Sequence, residues 1–71
     1  MTLAEQIDMV KLIRKTNHGE AKVWMRPGPQ QSLDTAYVCR RYALTCTAVL
    51  KSLRRLQEMD EDARNNPGGT T

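Results

Sequence analysis

The sequence predicts an all-α fold: a two-helix antiparallel hairpin that self-associates as a dimeric four-helix bundle. Three observations carry this expectation. Apolar residues recur at three- and four-residue spacing in two segments, about 3–17 and 33–59, and nowhere alternate strongly enough to demand a sheet. The run Arg26-Pro27-Gly28-Pro29 separates the segments and forbids one continuous helix across it. The second segment is much longer than the first, so its apolar stripe outruns any cover that one short helix can give.

The first helix begins with a capping signature. Thr2-Leu3-Ala4-Glu5 matches the S/T-x-x-E box, in which the Thr hydroxyl and the Glu carboxylate each accept a free backbone N–H. Leu3, Ile7, Val10 and Ile13 then follow helical spacing, with Met9 at one margin and Ala4, Asp8, Lys11 and Lys15 on the other side. Leu12 falls outside this stripe. The helix is expected to end near Asn17, with Gly19 as its stop and His18 as a helix-end residue. Residues 18–31 form the expected turn segment. Within it, Lys22-Val23-Trp24-Met25 is read as a short extended piece or a helical turn, with Trp24 closing the open end of the helix pair.

Ser32 is the expected N-cap of the second helix, which runs from Leu33 to about Met59 without an interrupting Gly or Pro. Its pattern is the strongest in the chain. Cys39, Tyr42, Cys46, Val49, Leu53 and Leu56 are spaced 3-4-3-4-3, and Val38 and Leu50 widen the stripe. The segment 61–71, which contains Asn65-Asn66-Pro67-Gly68-Gly69, reads as a disordered tail. A helix of about 15 residues spans roughly 22 Å, and one of about 27 residues spans roughly 40 Å, so the shorter cannot cover the longer. A homodimer is the simplest way to bury the remainder. The expected self-association residues are Val10, Ile13, Tyr42, Cys46, Val49, Leu53 and Leu56.

Composition excludes several function classes. With 71 residues, 39% hydrophobic and 4% aromatic, the chain has little material for a core and none for an enclosed catalytic cleft. Spacing suggests no Ser-His-Asp or Cys-His arrangement, so no catalytic residue and no cofactor is expected. Cys39 and Cys46 stand two helical turns apart on one face, about 10 Å, too far to bridge each other. Buried reduced thiols are the simple reading, and an intermolecular disulfide is the alternative. Two Cys and the lone His18 do not supply the four ligands of a structural zinc site, so no metal is expected. The longest nearly apolar run, Tyr42 to Leu50, is too short to span a bilayer, and no charged segment leads into an apolar one near the start. No membrane association and a cytoplasmic, intracellular location are therefore expected.

Charge is unevenly distributed. The formal net charge is +3. Residues 32–57 hold five basic groups and one acidic group, whereas residues 58–71 hold one basic group and four acidic groups. On a helical wheel the basic residues of the long helix gather opposite the seam. Arg40, Lys51, Arg54 and Arg55 form a stripe with Arg41 at its margin and Tyr37, Leu44 and Ala48 among them. Every amphipathic helix has a solvated charged face, but three features set this one apart. No acidic residue lies between Asp34 and Glu58, two large side chains sit among the charges, and four of the five cations are Arg, whose planar fork suits carboxylate or phosphate.

The expected function follows: a small, non-enzymatic regulatory protein, of a size seen in viral or phage inhibitors. It engages an acidic surface of a partner protein through Tyr37, Arg40, Arg41, Leu44, Lys51, Arg54 and Arg55. The alternative partner is the phosphate backbone of double-stranded RNA or DNA, bound by the same stripe. In layout and charge the chain resembles the small helical-hairpin RNA-silencing suppressors of nodaviruses. That resemblance implies a dimer which binds double-stranded RNA along its helices. A third reading resembles small phage counter-defence proteins that sequester a phosphorylated nucleotide between subunits. A helix-turn-helix would need a third helix, and a ribbon-helix-helix would need a strand before both helices.

Overall fold

The computed structural model describes residues 1–65 of the chain. Two helices, α1 (Leu3–Met25) and α2 (Leu33–Asn65), pack against each other, and no strand occurs among the described residues.

α1 starts where the capping box places it. The Glu5 backbone N–H donates to Thr2 Oγ1 at 3.2 Å, and the Thr2 backbone N–H donates to Glu5 Oε1 at 3.4 Å. Its end differs from expectation: the helix passes through Gly19 and stops only at Met25, so His18 is an exposed mid-helix residue. Glycine in a helix interior costs only about 1 kcal/mol, and continuing the helix lets Ala21 and Trp24 pack. The stop comes instead from Arg26, held extended at φ −61°, ψ 133° by the proline that follows it.

The loop then satisfies the last carbonyls of α1. The Val23 carbonyl accepts from Arg26 N–H at 3.3 Å, that of Trp24 from Ser32 N–H at 2.9 Å, and that of Met25 from Gln31 Nε2 at 3.2 Å. The reversal passes through Gly28 at φ 140°, a region closed to side chains with a Cβ. Ser32 then caps α2, accepting the Thr35 N–H at 3.3 Å. α2 continues past the expected end at Met59 to Asn65, so residues 61–65, expected to be disordered, are helical. An Arg64–Asp60 ion pair of 3.1 Å spans this last stretch, too exposed to add much. The rest of the expected tail, 66–71, lies outside the described residues.

Burial defines how each helix faces the other. On α1 the buried and half-buried residues are Leu3, Gln6, Ile7, Val10, Arg14, Asn17, Ala21 and Trp24. Apart from Gln6 they follow an unbroken 4-3-4-3-4-3 spacing. On α2 the corresponding line is Ala36, Cys39, Ala43, Cys46, Leu50, Leu53 and Gln57, again alternating threes and fours. The sequence-based seam shares Cys39, Cys46 and Leu53 with this line but had Tyr42, Val49 and Leu56 where the fold uses Ala43, Leu50 and Gln57. Ala36 and Ala43 let the two backbones approach closely near the loop, which sets the rotation of α2 and brings Leu50 and Gln57 onto the same line. The resulting core is thin. Only Ile7, Ala21, Ala36, Ala43 and Leu50 are buried among the described residues, and Leu50, at 1% exposed, is the one large side chain wholly removed from solvent.

Candidate functional site

The two contact lines fix the rotation of both helices, and with it two opposed surfaces. In a heptad pair each line is flanked by two shoulders. One shoulder holds Ala4, Lys11, His18 and Met25 on α1 and Leu33, Arg40, Thr47 and Arg54 on α2. The other holds Gln6, Ile13 and Glu20 on α1 and Thr35, Tyr42, Val49 and Leu56 on α2. Antiparallel packing sets like shoulders side by side. A small notch near the loop bears this out, because its walls are Met25 of α1 together with Leu33, Ala36, Tyr37 and Arg40 of α2.

The first surface is basic. Residues adjoining this shoulder on the wheel are Lys15 and Lys22 on α1 and Tyr37, Leu44 and Lys51 on α2, all exposed. Six cations, Lys11, Lys15, Lys22, Arg40, Lys51 and Arg54, therefore share one side of the hairpin, with exposed His18 among them. Lys11 to Lys22 covers about 16 Å of α1, and Arg40 to Arg54 about 21 Å of α2. The antiparallel order brings Lys22 toward the Arg40 end and Lys11 toward the Lys51 and Arg54 end. No acidic residue falls within either stretch on this side; Asp8, one turn before Lys11, comes level with Lys51 and Arg54 in the antiparallel pair, and Glu58 stands beyond them. None of the six cations belongs to an ion pair within 4.0 Å among the described residues.

Of the seven residues expected to bind a partner, Tyr37, Arg40, Leu44, Lys51 and Arg54 lie on this surface. Arg41 and Arg55 stand on the outer edge of α2. Arg55 shares an open hollow with Lys51 and Arg54, whereas Arg41 borders a notch with Tyr37, Val38, Tyr42 and Thr45. The lysines of α1 on this surface were not among the residues expected from the sequence to bind a partner. Their recurrence at 11, 15 and 22 was legible, but which side of α2 they would join depends on the pairing of the helices, which the sequence does not state.

The second surface is nearly uncharged. Ile13 (43% exposed), Tyr42 (60%), Val49 (40%) and Leu56 (53%) line its shoulder, and Met9 and Val38 adjoin them. Between them stand Thr and Ser, of which Thr45 and Ser52 donate to the carbonyls four residues back, at 3.0 and 3.4 Å. These bonds take each hydroxyl donor out of competition for water. Its one charged residue is Glu20, which accepts the Trp24 indole N–H at 3.2 Å. Trp24 is thus half-buried at the loop end of the contact line. The seven expected self-association residues divide accordingly: Val10, Cys46 and Leu53 belong to the seam inside the hairpin, while Ile13, Tyr42, Val49 and Leu56 face away from it.

Cys39 and Cys46 are free and half-buried on the contact line. Among the described residues no group of three or more His, Cys, Asp or Glu could hold a metal ion, and no helix is long and apolar enough to cross a membrane. Comparison of the chain with protein-family models, with curated proteins and with solved structures gives no match.

Proposed function

We propose that the protein is a self-associating, non-enzymatic binding protein whose basic surface engages the phosphate backbone of double-stranded nucleic acid, without reading sequence. The observation that carries this reading is the alignment of cations from both helices on one side, with no acidic residue on that side between Lys11 and Lys22 or between Arg40 and Arg54. A single basic stripe can be a solvated helix face. A patch two helices wide, with axes roughly 8–10 Å apart, presents charge in two dimensions, as the two strands of a duplex do. Flexible Lys on α1 and forked Arg on α2 both suit phosphate oxygens. Cations spread over two helices suit contacts to phosphates, which position a duplex without carrying sequence information, so affinity resides in the backbone contacts.

Replacing Lys11, Lys15 and Lys22 together by Gln tests the two-helix geometry. Duplex affinity is expected to fall by tenfold or more at moderate salt with helicity unchanged, and equally for unrelated duplex sequences. Unchanged affinity would restrict the site to α2 and remove the argument for a duplex.

Exposed Tyr37 and Leu44 on the same surface favour a second reading, an acidic partner protein, since Tyr and Arg around an apolar centre are common anchors of protein interfaces. The double substitution Tyr37→Ala/Leu44→Ala separates the two. It removes no cation, so duplex binding should persist, whereas binding to an acidic protein surface should be lost.

A further inference from the structure

We infer that the uncharged surface is the docking face for a second copy of this chain, and that the two hairpins meet antiparallel, with the acidic end of each α2 beside the loop end of its partner. This rests on the proposed function only in that it leaves the basic surface free on the outside. The identity of the occupant follows from three observations.

The first is area. Met9, Ile13, Val38, Tyr42, Val49 and Leu56 are each 40–60% exposed, and Val23 and Met59 extend the patch at its two ends. At roughly 150–200 Å² per side chain, these present on the order of 700 Å² of apolar surface. That is close to the area one partner contributes to a standard protein interface, about 800 Å². The second is the thinness of the hairpin's own core, with three alanines among its five buried residues. A chain this small needs a further source of burial, and a face carrying one charge can be desolvated at little cost.

The third is the charge at the two ends, which chooses the orientation. Residues 58–65 carry Glu58, Asp60, Glu61 and Asp62 against Arg64 alone, and they project beyond the start of α1. The loop end carries Lys22, Arg26, Arg40 and Arg41 against Glu20 and Asp34. Parallel copies would set two acidic ends together and two basic ends together. Antiparallel copies stack α2 on α2, with Val49, the midpoint of the helix, at the two-fold axis. Asp60 and Asp62 then come within about 8 Å along the axis of the partner's Arg41, whereas parallel copies would set Arg41 against Arg41 and Asp62 against Asp62. Arg41, on the edge of α2 beside Val38 and Tyr42, is well placed at the rim of the interface.

Sedimentation and cross-linking of the full chain test this. At tens of micromolar the protein should sediment as a dimer. Val49→Asp, at a position the hairpin leaves 40% exposed, should yield helical monomers, with the dimer Kd weakened at least 100-fold. For orientation, Cys39 and Cys46 are first replaced by Ala, and chains carrying Val38→Cys are mixed under mild oxidation with chains carrying Met59→Cys. Antiparallel docking predicts the mixed disulfide, with little of either chain joined to itself. Homodisulfides of each chain in place of the mixed product would overturn the orientation. A monomeric parent, or a dimer that survives Val49→Asp, would overturn the docking face. Duplex binding is read separately, so a dimer without duplex binding would leave this inference standing and remove only the functional reading.

Discussion

Gly19 offers a sharp test of the fold because two accounts of it predict opposite signs. As a helix stop it would sit in the left-handed conformation, where alanine is strained and the substitution costs stability. In the structure it is an interior residue of α1, with helical backbone, and a Cβ built on it meets no atom within 4 Å. Gly19→Ala therefore changes only the helix propensity, which favours alanine by about 0.8–1.0 kcal/mol in a solvent-exposed interior position. For a domain of this size, 1 kcal/mol corresponds to a rise in Tm of about 4–8 °C. Thermal unfolding followed by far-ultraviolet circular dichroism measures this directly. Both chains should be compared at one protein concentration, since association raises Tm by mass action. Gly28→Ala is the control: at φ 140° the same substitution should lower Tm. A Tm for Gly19→Ala at or below that of the parent would refute a helix running through residue 19.

Other predictions concern the core and the surfaces. Leu50→Ala removes the one large wholly buried side chain and should cost about 2–5 kcal/mol, enough to unfold most of the chain at 37 °C in a urea or thermal titration. Leu53→Asp puts an unpaired charge on the contact line and should give an unfolded monomer, so a folded dimer of this variant would contradict the seam. Changing Arg40, Arg41, Lys51, Arg54 and Arg55 together to Gln should leave the circular dichroism spectrum unaltered and abolish duplex binding in a gel-shift titration.

The sequence made the two helices legible because their ends carry local chemistry. Thr2 with Glu5, Ser32, and the Arg26-Pro27 stop each act through neighbours within a few residues. Gly19 misled for the same reason: its propensity is local, but the packing of Ala21 and Trp24 that overrides it is not. The register of α2 was half legible. Cys39, Cys46 and Leu53 lie on the contact line, yet the larger Tyr42, Val49 and Leu56 drew attention from Ala36 and Ala43, which pack the helices more closely. The basic stripe of α2 was readable from one wheel. That Lys11, Lys15 and Lys22 complete it, and that the apolar residues left over form the opposite face, depends on how two helices rotate against each other. Only the pairing supplies that information.

We propose that a two-helix basic surface holds a duplex by its phosphates. Fluorescence anisotropy with a labelled 20–25 base-pair duplex, titrated from low to physiological salt, addresses it most directly. If the six aligned cations engage phosphates, the slope of log K against log salt should lie near −5, and near −3 if only those of α2 engage. Binding that is micromolar or tighter at low salt, falls with such a slope and is indifferent to sequence is the predicted result. No binding even at low salt, or binding that salt leaves unchanged, would contradict it.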